Sequence, residues 1–377
     1  MTNGINGSST KRRTPTFGIW FFSFALAWFI TSDAVACEEV RAALDIGSGT
    51  TKMVVARVDY CNNRVLQVLA PSPGAKLERI VEYSKHMVEA SDGRKVFTNE
   101  VVAQGLATIL ELKAVALAHE AETFSAVATS AFRSVDPTHA RAVVERIRQE
   151  TGFSVVVIPQ DREARIGFLA AAIKVGIPRE RLVVWDIGGG SMQMSYWDRE
   201  KDSVAGYLGD FANAAMHQFL IEVVQGINYR ATASPNPILK PGNDNDLSLA
   251  IQRAETAARV SVPAGLLERL RTVGTEVIGI GGVHFFSNCE FMRRFSADGC
   301  AFTRDELLDQ LYRYAYLTDR ELVEAGLSAT LEFAPYRVSG AALTLGFMNA
   351  FGIEKIRAIK VDMGDGILID PDFWDSP

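Results

Sequence analysis

Positive charge is in deficit in this 377-residue chain: 39 Lys and Arg stand against 45 Asp and Glu, a formal net charge of −6. That balance argues against a general nucleic-acid coat, which carries a basic face. Two phosphate-binding signatures are also missing. No G-x-x-x-x-G-K-[ST] run occurs, so a P-loop is unsupported. The Gly-rich run Gly279-Ile280-Gly281-Gly282 is G-x-G-G, and no acidic residue follows about 20 positions later on a strand, so a dinucleotide-binding Rossmann unit is disfavoured. Aromatics are sparse at 9%, and with 30 glycines the composition fits a loop-rich α/β enzyme better than a coiled coil. Hydrophobic residues reach 48%, which excludes wholesale disorder, and the length allows two or three domains. Acidity leaves a phosphate ligand open, because backbone N–H groups and a few local cations can hold one.

The first 36 residues read as an export leader. Lys11, Arg12 and Arg13 precede an apolar run of 14 residues, Phe17 to Ile30, and Ala34 and Ala36 offer the small residues of a cleavage site. The run is short for a membrane span, which needs about 20 apolar residues. A cleaved leader and a periplasmic or secreted mature chain are therefore expected. A retained anchor, a buried helix and a lipoprotein site at Cys37 are the weaker alternatives. Four cysteines remain: Cys37, Cys61, Cys289 and Cys300. Cys289 and Cys300 are close in sequence and are the favoured pair in an oxidising compartment. Spacing alone does not decide pairing, so four unpaired thiols stay open.

One unit occurs twice. Ala43-Leu44-Asp45-Ile46-Gly47-Ser48-Gly49-Thr50-Thr51-Lys52 and Val184-Trp185-Asp186-Ile187-Gly188-Gly189-Gly190-Ser191 both run apolar strand, Asp, Ile, Gly-rich turn, second strand. Asp45 and Asp186 lie 141 residues apart, too long for a solenoid repeat, so a duplicated domain with a cleft between halves is expected. Each turn makes sense as a phosphate cradle. Glycines let the backbone approach a ligand, and successive N–H groups then face one concavity. Ser48, Thr50, Thr51 and Ser191 add hydroxyls. Asp45 and Asp186 can hold a metal or a metal-bound water. Gly281 and Gly282 form a third Gly-rich element after a short apolar strand. His284, beside it, reads as a structural polar residue rather than a ligand.

Between the repeats helix and strand alternate. Thr98 to Ala121 reads as an amphipathic helix with Val101, Val102, Leu106, Ile109 and Leu110 on one face. Phe124 to Thr129 reads as a strand. Asp136-Pro137 opens a helix that runs to Glu150 and is closed by Gly152. Ser154 to Ile158 reads as a buried strand, and Asp161 opens the next helix. Thr303 with Glu306 and Thr318 with Glu321 are capping boxes. The alternation predicts an α/β fold with a largely parallel sheet.

The segments DIGSGTTK, ATSAFR, QDREARIGF, DIGGGSMQMSYW, VIGIGGV and YRVSGAALTLGFMNAFGIEKIR occur in the order seen in exopolyphosphatase/guanosine pentaphosphate phosphohydrolases. Over about residues 40–370 the chain resembles this Ppx/GppA family, which has the actin-like, sugar-kinase ATPase superfold. The resemblance implies two related actin-like (ribonuclease H-like) lobes around a cleft, 37–160 and 161–377, the latter with helical insertions. It also implies a short form without the extra C-terminal domain of long members. The expected reaction is water attack on a terminal phosphoryl group of polyphosphate or a polyphosphorylated nucleotide. Glu163 falls on the family's general base and Arg133 on its phosphate-contacting Arg. Asp186 and Asp45 match the acids expected to hold Mg²⁺. The cradle comprises Gly47, Ser48, Gly49, Thr50, Gly188, Gly189, Gly190, Ser191, Gly281 and Gly282. No nucleic-acid partner and no membrane span after leader removal are expected, and a homodimer is left open. The sequence departs from the family pattern at Gly49, Gln160, Arg162, Met192 and Gln193, and in the Met363-Gly364-Asp365-Gly366 segment. A degenerate member that binds polyphosphorylated ligands is therefore the alternative, and an ATP-dependent kinase or chaperone of the same superfold is a third reading.

Overall fold

The computed structural model describes residues 37–72, 77–229, 233–239, 245–361 and 363–374. The expected leader, residues 1–36, lies outside the described residues, as does much of the Pro-rich loop at 231–246. The described chain forms one compact unit from Cys37 onward.

Two sheets carry the architecture. In the first, β1 (Glu38–Ile46), β2 (Thr50–Asp59) and β3 (Arg64–Ala70) form an antiparallel meander, extended by the short β4 (Glu78–Ile80). A separate small hairpin pairs β5 (Met87–Glu89) with β6 (Lys95–Phe97). β7 (Thr123–Ala128) and β8 (Ser154–Val157) add to the first sheet in parallel, giving the order β3-β2-β1-β7-β8. The second sheet repeats this order. β9 (Leu182–Ile187), β10 (Met192–Asp198) and β11 (Ser203–Gly209) form the meander, and β12 (Glu276–Ile280) and β14 (Lys355–Ala358) add in parallel. β13 (Cys300–Thr303) closes the far edge antiparallel to β14. The two halves thus share one topology, as the repeated hairpin predicts.

Local chemistry explains the connecting elements. Helix α1 (Asn99–Ala118) starts where the Thr98 hydroxyl accepts from Val101 N, and it buries Val101, Val102, Leu106 and Ile109 against the first sheet. Leu110, expected on that face, is exposed, because it follows Ile109 by one residue and so lies about 100° around the helix. α1 is long and apolar enough to cross a membrane by length and composition. α2 (Ser130–Ser134) is a single turn after β7. α3 (Pro137–Thr151) is capped by Asp136, which accepts from Thr138 N and His139 N, and it ends on Gly152. β8 is half-exposed rather than buried, being the edge strand of its sheet. α4 (Gln160–Val175) starts after Pro159 with no side-chain cap, so Asp161 lies inside the first turn instead of opening the helix.

α4 packs across β9, β10 and β11 and also meets the C-terminal segment. That segment, 363–374, leaves the second sheet and packs Met363, Ile367, Leu368, Phe373 and Trp374 onto Ala43, Val54 and Val127 of the first sheet and Ile166 of α4. The largest core lies behind the second sheet, around Trp185, Phe347 and the buried helix Arg337–Phe351. Two disulfides close local loops, Cys37–Cys61 and Cys289–Cys300. The second is the pair favoured by sequence. The first joins the start of β1 to the turn after β2.

Candidate active site

The two Gly-rich turns are built alike. In the first, Gly47 N donates to Thr50 O at 2.9 Å; in the second, Gly188 N donates to Ser191 O at 2.9 Å. A Cβ on Gly47 would lie 3.0 Å from Thr50 O, and one on Gly188 would lie 3.1 Å from Ser191 O. The same tight hairpin closure explains why glycine recurs at the same position of both repeats. The turns face each other directly: a Cβ on Gly190 would come within 2.6 Å of Ser48 Oγ and 2.7 Å of Ser130 Oγ. Ser48 Oγ is buried with no hydrogen-bond partner among the described residues, a donor available to a ligand oxygen.

The turns form the floor of a cleft of about 230 Å³. Asp45, Gly47, Ser48, Gly49, Thr50, Glu163, Asp186, Gly188, Gly189, Gly190, Ser191, Gly281 and Gly282 all line it. Gly281 has φ +80°, and a Cβ there would sit 2.2 Å from Asp186 Oδ1, so glycine is required where β12 ends against the Asp186 carboxylate. Arg133 stands behind the cleft lining. Its Nη1 donates to Ile158 O at 2.9 Å and its Nη2 to Ser191 Oγ at 3.3 Å. The same Nη2 lies 2.8 Å from Glu163 Oε2. The guanidinium thus bridges Ile158 O, Ser191 Oγ and the Glu163 carboxylate, and its contact with Glu163 is an ion pair at hydrogen-bond length.

Glu163 is buried in the first turn of α4. Burial pushes its carboxyl up to about 7. The neighbouring Arg133 pulls the other way, while the Asp186 and Asp45 charges push further up. A helix N-terminus favours a carboxylate, and here burial outweighs it. Three carboxylates thus crowd one cleft, an arrangement that a hard divalent cation with oxygen preference would relieve; Asp45 and Asp186 fit that role. In the hairpin registers Lys52 lies opposite Asp45, whereas Gln193 lies opposite Asp186, buried and donating to Ser191 Oγ at 3.3 Å. Gln160 spans the second hairpin, donating to Met192 O and Gly209 O, each at 3.1 Å.

His284 is fully buried against Trp185, with ring centroids 4.7 Å apart, and burial pushes its imidazole down to about 3. It sits behind the Gly281 turn as a structural residue. The cleft also gathers residues that the sequence did not single out as site residues: Lys52, Lys85, Ser130, Asn213, Tyr336 and Arg337. Lys52 and Ser130 lie inside the quoted motifs and could have been found there. Tyr336 and Arg337 open the quoted YRVSG segment, whereas Lys85 comes from a segment with no local signal; Lys85 and Tyr336 meet across the cleft, the Lys85 ammonium 5.4 Å from the Tyr336 ring centroid.

Residues 75–205 match the Ppx/GppA phosphatase family. Exopolyphosphatase 1 of Mycobacterium leprae is 25% identical over 326 residues, covering 86% of this chain and 87% of the relative. Exopolyphosphatase 1 of Mycobacterium tuberculosis H37Rv is 24% identical over 326 residues, covering 86% of each chain. Among solved structures, an exopolyphosphatase from Cytophaga hutchinsonii shares the fold with a TM-score of 0.64 at 17% identity, covering 88% of this chain and 96% of that one. The Aquifex aeolicus Ppx/GppA family member gives a TM-score of 0.63 at 17% identity, covering 88% and 97%. Motif order and the match over residues 75–205 make this chain similar to the Ppx/GppA phosphatase family, with whose solved members it shares a two-lobed α/β fold.

Proposed function

We propose that the chain is a phosphoanhydride hydrolase that releases terminal phosphate from inorganic polyphosphate. The observation that carries this reading is Glu163: a buried carboxylate, poised near neutral pH, facing two Gly turns that form one phosphate cradle. The names of the relatives supply the substrate class. Backbone N–H groups of Gly47–Thr50 and Gly188–Ser191, with the Ser48 and Ser191 hydroxyls, hold the phosphate oxygens. Glu163 takes a proton from a water molecule as the water oxygen bonds to the terminal phosphorus. The P–O bond to the shortened chain breaks, and the bonding pair leaves with the chain end. Arg133 orients Glu163 and faces the phosphoryl group through Ser191. Asp45 and Asp186 are the residues to hold Mg²⁺, which when bound supplies positive charge to the phosphate oxygens.

Export supports polyphosphate over guanosine pentaphosphate or ATP, since nucleotides are scarce outside the cytoplasm. Both disulfides are consistent with an oxidising, periplasmic or secreted location for the mature chain. Phosphate release from long-chain polyphosphate, measured with and without Mg²⁺, tests the reading. Mg²⁺-dependent release is expected. Tight polyphosphate binding with no release under either condition would replace the hydrolase with a degenerate binder, the outcome that Gln193 and Arg162 make the second reading.

A further inference from the structure

Arg162 stands immediately before Glu163 in the first turn of α4, about 100° around the helix from it. Glu163 enters the cleft, and Arg162 points the other way, into the C-terminal segment. Arg162 Nη2 lies 3.1 Å from Asp372 Oδ2 and 3.9 Å from Asp370 Oδ2, and its guanidinium carbon sits 4.2 Å from the centroid of the Phe373 ring. Arg165, one turn on, reaches Asp370 at 3.9 Å. Below this contact Gly366 presses on the same helix: a Cβ there would meet Ile166 Cγ2 at 2.2 Å and Ile166 O at 3.1 Å. The segment is itself fastened to the first sheet. The buried Arg41 donates to Leu368 O at 2.9 Å and stacks 4.4 Å from the Trp374 ring, whose Nε1 donates to Ile367 O at 2.7 Å. Met363, at the other end of the segment, lines the cleft.

α4 starts without a side-chain cap, so its first turn has no local fastening of the usual kind. We propose that the 363–374 segment is a strap that holds the first turn of α4, with Arg162 as the positioning residue that fixes the Glu163 carboxylate over the two Gly turns. The strap ties the helix carrying Glu163 to the sheet carrying Asp45 and the first Gly turn. Arg133 holds the Glu163 carboxylate itself, and Arg162 holds its helix against the C-terminal segment. This gives Arg162, a departure from the family pattern, a definite task in this chain. The inference rests on Glu163 being the general base.

The test compares the mature parent with Arg162→Ala, Arg162→Lys and the same Ala substitution in a Glu163→Gln background, by polyphosphate turnover and by amide hydrogen exchange over residues 160–168. Arg162→Ala is expected to lower kcat about 10-fold, the scale of a slightly misplaced catalytic group, with KM within about twofold. Exchange in the first turn of α4 should quicken, because the opening that exposes those amides becomes less costly. Arg162→Lys, which keeps the charge opposite Asp370 and Asp372, should recover most of the rate. In the Glu163→Gln background the Ala substitution should cost nothing more. Unchanged exchange in Arg162→Ala overturns the strap. An equal kcat loss with and without Glu163 overturns positioning through that residue. A Glu163→Gln protein that turns over like the parent removes the base reading instead, and is recognised separately because exchange does not depend on turnover.

Discussion

At the residue scale the account turns on the charge state of Glu163. Its carboxyl is raised to about 7 chiefly by burial, so ionising it costs more in the folded chain than in the unfolded one. The sign follows from linkage: the stability contribution is fully present below the ordinary carboxylate value and is lost as pH rises through about 7. Glu163→Gln removes the penalty. At pH 8 it should be more stable than the parent by on the order of 1–3 kcal/mol, seen as a higher melting temperature, and the two should converge below the ordinary carboxylate value, at about pH 4. A pH-independent difference in thermal melts would contradict the raised carboxyl. Gln193 makes a second residue-scale case. It lies directly across the hairpin from Asp186, so Gln193→Glu places like charges opposite each other. Without Mg²⁺ that variant should melt below the parent; with Mg²⁺ it should recover and bind the ion more tightly by calorimetry. If Mg²⁺ shifts neither quantity, the second hairpin does not hold the metal.

At the element scale, what was legible followed from local rules. Both hairpins could be read because a strand, an Asp and a glycine turn are contiguous, and the structure gives both the same Gly N–H closure. The α3 caps and the two boxes at Thr303 and Thr318 were legible because capping is a matter of three or four residues. The start of α4 was misread by one residue: Asp161 was expected to open the helix, which instead begins at Gln160 after Pro159 with no side-chain cap. β8 looked buried from its apolar run, but its place at the sheet edge exposes one face, which no local pattern encodes. The Cys37–Cys61 bridge escaped for the same reason. The register that brings residue 38 opposite residue 59 also brings these two cysteines together.

At the scale of the whole molecule, the duplication predicted a cleft, and the fold supplies it by setting two meanders of one topology turn to turn. Tyr336 and residues 363–366 stood out as motif segments and Lys85 did not, but where all three sit depends on how the halves come together, which no local pattern encodes. The two disulfides act at this scale as well, each removing freedom from the unfolded chain. Losing either should cost about 2–4 kcal/mol, so melting in a thiol reductant should fall well below melting in its absence. Insensitivity to reductant, with free thiols titrating, would contradict the bridges. The most direct test of the central claim is the single-turnover rate of terminal phosphate release from long-chain polyphosphate, with Mg²⁺, by the mature chain and by Glu163→Gln. A fall of about 10²-fold or more with unchanged polyphosphate binding is the expected result, the scale of general-base catalysis; equal rates in the two proteins would contradict the assignment of Glu163 and the mechanism built on it.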